Sequence, residues 1–412
     1  MRKICLTVVG LYLLFLHAFS QGSVRAAGAQ GSTGDSTGFR PRKLKLDEVH
    51  LVSSYYTQTG DHSAIRGGIG SEKVTDLANG LELKWVGIDG QQRKNTLTAG
   101  IGIDYHTAAS QAWISKTGAS RRLDGLRIYP SLDWTRENEK KGSSFSLGGY
   151  YSNEFNYKSV GLSTGFTQKT KRNGEFGLKL SGYFDQVRLI FPSEFEPPYS
   201  GNGSGGGRDH HPDYASSPRQ TYTASLSFSQ VINTRLQATF LVDLVEQHGY
   251  LGLPFHRVYF TDGTDSVERL PSDRFKLPLG LRLNYYWGDR VILRSYYRFY
   301  TDNWGLRSHT ASLEVPVKIT PFFSISPFYR YYTQTAVNYF APYGQHVQTD
   351  GYYTSNYSLS AFSSHFFGAG VRLAPPEGIF GTHLATLELR YGHYTQTTDL
   401  LSDIISLDLG FK

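Results

Sequence analysis

Beyond its first twenty residues the 412-residue chain contains no cysteine and no methionine; Cys5 and Met1 are the only ones. A disulfide framework and a thiolate metal site are therefore excluded from the mature chain. Hydrophobic residues make up only 39%, and the mean hydropathy is −0.37. After Phe19 no apolar run is long enough for a spanning helix, so a helical membrane protein is excluded. Charge of one sign is also scarce. The formal net charge is +7, and without Arg2 and Lys3 it falls to +5, too mild to imply a nucleic-acid partner. What is abundant is Tyr (29), Phe (25) and Gly (44). That composition suits many short strands, each with one apolar face.

The N-terminus reads as a secretory signal peptide over residues 1–20. Arg2 and Lys3 form the basic region and Ile4 to Phe19 the apolar region, which is short for a membrane anchor. Cleavage after Ser20, or alternatively after Ala29, leaves a Gly-, Ser- and Thr-rich stretch up to residue 42 that reads as a flexible linker. Cys5 lies too early to be a lipidation site. Residues 43–412 are expected to form one domain.

From about residue 44 a period of two dominates. In DIISLDLGFK, Ile405, Leu407, Leu409 and Phe411 share one face, while Ser406, Asp408, Gly410 and Lys412 share the other. The same division recurs near 97–106, 128–135, 160–169, 222–229 and 291–299. A soluble sandwich would alternate too. The signal peptide, an aromatic beside the C-terminus and the spacing of connections favour a membrane barrel. Short connections fall near 89–95, 137–142, 171–174, 232–233, 287–289 and 320–321. Long ones fall near 60–77, 108–125, 191–218, 249–273 and 336–360. The expectation is an all-β, transmembrane antiparallel barrel of about sixteen strands in the outer membrane, with short turns and both termini on the periplasmic side.

Several stretches carry a resemblance. They are KLKLDEVHLVSSYYTQTGDHSAIRGGIGSEKVTDLANGLEL (43–83), RIYPSLDWTRENEKKG (127–142), DQVRLIFPSEFEPP (185–198), GYLGLPFHRVYF (249–260) and VERLPSDRFKLP (267–278), together with the last strand. The chain resembles a family of uncharacterised outer-membrane β-barrel proteins of Gram-negative bacteria, catalogued as a domain of unknown function. The resemblance implies the barrel. It implies no substrate, catalytic residue or cofactor.

Alternation places Glu48, His50, Asp104, His106, Lys179, Arg235 and Asp243 inside the barrel. It also places Arg282, Arg294, Arg298, Glu314, Lys318, Arg330, Glu388, Arg390 and Asp408 there. Such a face braces a hydrated wall or lines a selective pore. Arg282, Arg294, Arg298 and Arg330 come from nearby strands and point to anion preference. The 249–274 segment mixes aromatics with charges, and Phe255, His256, Arg257 and Tyr259 are candidates for a constriction or plug. RDHHPD (208–213) holds possible ligands, but its spacing matches no metal site, so no metal is assigned. Ser308-His309 and Ser364-His365 are neighbours on strands and face opposite ways, which excludes a catalytic pair within either.

The expected function is transport of a small hydrophilic solute, with no enzymatic step and no cofactor. A plugged barrel scaffolding surface or periplasmic partners and an outer-membrane hydrolase are the alternatives. The implied partners are outer-membrane lipid and, during biogenesis, the barrel-assembly machinery. Finally, YTQT occurs at 56–59, 332–335 and 394–397. Parity places Tyr56, Tyr332 and Tyr394 inward with Gln58, Gln334 and Gln396. Each copy is expected at the same height on its strand.

Overall fold

The computed structural model describes residues 40–108, 125–154, 156–192, 194–195 and 215–412. The signal peptide, the linker up to residue 39 and RDHHPD lie outside the described residues. Strand β1 (Arg42–Thr59) begins at the last residue of the expected linker.

There follow β2 (Val74–Ile88), β3 (Lys94–Ala108), β4 (Gly125–Asn138), β5 (Ser143–Asn153) and β6 (Tyr157–Lys169). Next come β7 (Gly174–Arg188), β8 (Ser216–Asn233), β9 (Leu236–Gly249), β10 (Asp273–Trp287) and β11 (Val291–Asp302). Strand β12 comprises Arg307–Glu314 and Val317–Lys318, and β13 (Phe323–Gln334), β14 (Phe362–Leu373), β15 (Leu384–Gln396) and β16 (Leu400–Phe411) complete the series. The break in β12 falls at Pro316, which has no N–H for the ladder. Pairing resumes at once, because Val317 lies opposite both Val291 and Ile325.

Every neighbour is antiparallel, and β1 closes the sheet against β16 from Val49↔Phe411 to Thr59↔Leu401. The result is a closed barrel of sixteen strands. Closure leaves no strand edge without hydrogen-bond partners. The outer wall is apolar. Leu132, Leu147, Leu162, Leu389, Leu401 and Ile405 are all exposed on it, a surface that lipid solvates and water does not. Inward positions carry charge and hydroxyls, and sixteen strands are enough to enclose an aqueous lumen. Large rings fold flat where the neighbour is glycine: a Cβ on Gly102 would lie 2.1 Å from the Tyr129 ring.

The connections correct one expectation. The strands that precede the long connections, β1, β3, β7, β9 and β13, all finish at one end of the barrel. That end also holds three short ones, at 154–156, 303–306 and 397–399. The sequence carries a cue for the second. The Asp302 carboxylate accepts from the backbone N–H groups of Trp304 and Leu306, each at 3.0 Å, and Gly305 takes φ +88°. These make a tight turn. At the opposite end one turn is longer than expected, residues 374–383.

Candidate functional site

The interior wall brings the expected charges into partial pairing. Lys84 Nζ donates to Glu48 Oε2 at 2.9 Å, and Lys412 Nζ lies 3.1 Å from Glu48 Oε1. His50 Nδ1 lies 3.4 Å from Asp408 Oδ1. Arg294 and Arg390 both approach Glu314 Oε1, at 3.8 and 3.4 Å, and Arg390 also reaches Glu388 at 3.0 Å. On another part of the wall Tyr129 donates to Asp104 at 2.7 Å, with Arg127 at 3.9 Å. Lys318 sits at the short-turn rim, where it lines a pocket with Arg235 and Tyr286.

The arginine group divides. Arg294 is neutralised by Glu314. Among the described residues Arg282, Arg298 and Arg330 form no ion pair. Each guanidinium lies over a ring instead: Tyr296 and Tyr300 at 5.9 Å, and Phe366 at 4.8 Å. Stacking of this kind orients a cation without cancelling its charge.

The long-connection end is packed. Residues 257–259 pair with 265–267 as a hairpin. The His62 ring stacks on Tyr357 at 3.5 Å, Phe260 meets Tyr353 edge-on at 5.1 Å, and Trp304, Leu306 and Val337 form a small apolar core. Arg257, 3% exposed, joins three connections. Its Nη1 donates to the Ile65 carbonyl at 2.9 Å, and its Nε and Nη2 donate to the Glu194 carboxylate at 2.5 and 3.1 Å. The β1–β2 and β9–β10 connections are eight strands apart in a ring of sixteen, so this contact crosses the mouth of the barrel.

The four constriction candidates therefore do not line an open aperture. His256 and Arg257 are buried within the cap, Phe255 and Tyr259 are half-buried, and Tyr259 packs on Tyr343 at 4.7 Å. Glu268 ties the cap further, accepting from Leu253 N–H and from the Thr354 hydroxyl. Burial pushes Glu268 up to about 7. His256 is 0% exposed with neither ring nitrogen hydrogen-bonded among the described residues, and burial, aided by His346, pushes it down to about 3. In the β1–β2 connection burial and the nearby Asp61 push Glu72 up to about 7. Sequence reading missed Ile65, Glu194, Glu268 and Trp304. Glu194 and Arg257 are 63 residues apart, and no local pattern announces their pairing.

The three YTQT copies end β1, β13 and β15 at the cap side. In each, the Tyr hydroxyl donates to the Gln Oε1 two residues on, at 2.6 Å. The amide then reaches beyond its strand. Gln334 Nε2 donates to Ser358 O and Ser360 O, Gln58 Nε2 lies 3.4 Å from Glu72 O, and Gln396 Nε2 donates to Thr398 at 2.7 Å. Ser308 and Ser364 are buried. Their neighbours His309 and His365 face the other way, each with Nδ1 2.7 Å from a Tyr hydroxyl, of Tyr297 and Tyr329.

These features define a class: a sixteen-stranded antiparallel barrel with an apolar outer wall, a charged interior and a packed loop cap across one mouth. The chain belongs to the family described as protein of unknown function (DUF3570), which matches residues 90–400. No curated protein matches the chain. Among solved structures, OpdQ of Pseudomonas aeruginosa is similar, with a TM-score of 0.40 and 9% identity over 89% of this chain and 98% of its own. A BenF-like porin from Pseudomonas fluorescens Pf-5 gives 0.39 and 9% over the same shares. The siderophore receptor PirA of P. aeruginosa gives 0.41 and 10% over 84% of this chain and 56% of its own.

Proposed function

We propose that the protein is an outer-membrane channel for small hydrophilic solutes, favouring anions, whose outer mouth is closed by the loop cap. In this reading the cap faces the cell exterior, and the short turns and both termini face the periplasm. The observation that carries it is the set of guanidinium groups on the interior wall that form no ion pair among the described residues, Arg282, Arg298 and Arg330. An unpaired cation in a dry interior costs several kcal/mol or more, so this wall must be bathed in water. A hydrated lumen with a surplus of fixed positive charge attracts anions. The cap supports a gated channel over a permanently open one, since Arg257 would have to release Ile65 or Glu194 for the mouth to clear.

Planar-bilayer recording tests the reading. The wild type is expected to open in rare steps, and Arg257→Ala to open far more often. In a salt gradient the reversal potential should show anion preference. Cation preference, or the absence of steps in both proteins, would sink it. The second reading, a plugged barrel that scaffolds partners, is favoured by the cap alone. It predicts silence from both proteins while the cap still protects its backbone from exchange.

A further inference from the structure

A second feature of the lumen lies on other strands, β4 to β8, away from the arginine strip. Here the wall hollows into a cavity of about 430 Å³, lined by Ser131, Tyr150, Tyr157, Ser159, Tyr183 and Asp185 among others. That volume falls in the range of small-ligand sites.

Two adjacent residue rows build it. In the first, Tyr150, Gly161 and Tyr183 stand directly opposite one another on β5, β6 and β7. The two rings meet edge to face at 6.3 Å and 77°. Gly161 is the floor between them, for a Cβ there would lie 2.8 Å from Tyr183 and 3.3 Å from Tyr150. Arg127 holds Tyr150 by donating to its hydroxyl at 2.8 Å. In the second row, Ser152, Ser159, Asp185 and Arg219 are aligned on β5 to β8. Arg219 Nε donates to Asp185 Oδ2 at 2.8 Å. Among the described residues the other carboxylate oxygen, Oδ1, has no hydrogen-bond partner although Asp185 is only 6% exposed. Ser159, 2% exposed, stands opposite Asp185 in this row. A buried carboxylate oxygen left unpaired is costly, and because Asp185 lines the cavity, a turn of its carboxylate brings that oxygen to a donor entering there.

Charge selects the donor. Asp133 and Asp185 are balanced by Lys179, which also lines the cavity, and by Arg219 on Asp185, while Arg127 beside Tyr150 is balanced by Asp104 at 3.9 Å. The local formal charge is zero, so neither an ammonium nor an anion gains a net field. Aromatic rings offer an apolar face, while Asp185, Ser159 and Ser131 offer acceptors and hydroxyls at its edge. We infer that this wall is a binding station for an uncharged, hydroxyl-bearing ring of monosaccharide size. Its hydroxyls donate to Asp185, and its less polar face rests on Tyr150 and Tyr183. The station goes beyond the channel reading and does not depend on conduction.

Saturation-transfer NMR on the detergent-solubilised full chain tests it, with D-glucose, D-galactose and D-mannose as probes and D-glucuronate and inorganic phosphate as charged controls. At least one neutral sugar is expected to receive saturation, with the ring protons strongest and the charged controls weak. Tyr183→Ala and Asp185→Asn should each weaken binding by about tenfold. Retention of the fold is checked by heat-modifiable gel migration, and Ser159→Ala is a milder variant should Asp185→Asn not fold. No transfer to any of the sugars, or equal transfer in wild type and folded variants, would overturn the proposal. Transfer to glucuronate alone would overturn it too, because the neutral-charge argument would then be wrong. A protein that binds sugar but never conducts would refute the channel and leave the station standing.

Discussion

The Arg257 guanidinium and the Ile65 carbonyl meet at 2.9 Å, although their connections leave the barrel on opposite sides. One arginine thus spans the mouth, and its carboxylate partner Glu194 arrives from a third connection. Arg257 is buried and Glu194 partly exposed, and a hydrogen bond to a charged partner is worth about 1.5–3 kcal/mol. Arg257→Ala should therefore loosen the cap and leave the barrel folded. Hydrogen exchange is expected to rise in residues 61–73 and 256–268 with strand protection unchanged. Unaltered exchange in both segments would show that Arg257 does not fasten the cap.

Charge selectivity should follow the net fixed charge of the wall. Arg282→Ala, Arg298→Ala and Arg330→Ala remove positive charges that form no ion pair among the described residues. Each is expected to move the reversal potential in a salt gradient towards zero. Arg294→Ala leaves Glu314 and Glu388 sharing the single cation Arg390, so it should shift the potential as well. Arg294→Ala combined with Glu314→Gln removes both charges of the pair and should leave the reversal potential close to the wild-type value. A shift in that double variant as large as in Arg330→Ala would contradict the division of the wall described above.

The cap should be pH-dependent, with a direction set by the buried Glu268 and His256 and the half-buried Glu72. Glu72 and Glu268 are pushed from 4.5 up to about 7. The packed cap therefore binds their protons more tightly than the open one. Their contribution is complete below pH 4.5 and is lost as pH rises through 7. His256 is pushed from 6.5 down to about 3. Its contribution is complete above pH 6.5 and is lost as pH falls towards 3. Between 4.5 and 6.5 two groups tighten the cap on acidification and one loosens it; below 4.5 only His256 remains. Cap protection, corrected for intrinsic exchange rates, should thus peak near pH 4.5. Glu268→Gln should flatten the rise between 4.5 and 7. A monotonic profile across pH 3 to 8 would refute this assignment.

The repeated Tyr–Gln hydrogen bond should matter unequally at its three sites. Gln334 is buried and donates to two carbonyls of the β13–β14 connection, Ser358 and Ser360. Gln334→Leu leaves both carbonyls and the Tyr332 hydroxyl short of a partner, at about 1–3 kcal/mol. Gln58 makes only a 3.4 Å contact with Glu72 O beyond its own strand, so Gln58→Leu should cost less. Limited proteolysis within residues 335–361 should accelerate in the first variant and not in the second. Equal rates would show that the Gln334 amide does not hold this connection.

Much of the barrel is legible from local pattern. The period of two assigns Ile405 outward and Asp408 inward without reference to any neighbour, because a strand has only two faces. Arg330 and Glu388 set the parity of their strands, and the inward Tyr and Gln of the YTQT copies follow from it. The short connections on the cap side were less visible. The long loops dominate a reading by length, although Asp302 and Gly305 mark one tight turn. The four candidates in the 249–274 segment were recognised by composition. Their packing inside a cap was not, since it depends on residues far along the chain.

By itself, then, the sequence determined the strand period, the face each side chain takes, the closed antiparallel barrel and the concentration of charge inside it. These are consequences of spacing along one chain and of the need to pair every backbone group. Only the tertiary structure decided which charges cancel, since Arg294 meets Glu314 while Arg330 meets a ring. It also decided that Arg257 crosses the mouth and that one Asp185 oxygen finds no partner among the described residues beside two tyrosines. Those outcomes depend on the stagger of strands around the closed ring and on loops meeting across it. No period along the chain encodes a distance of that kind.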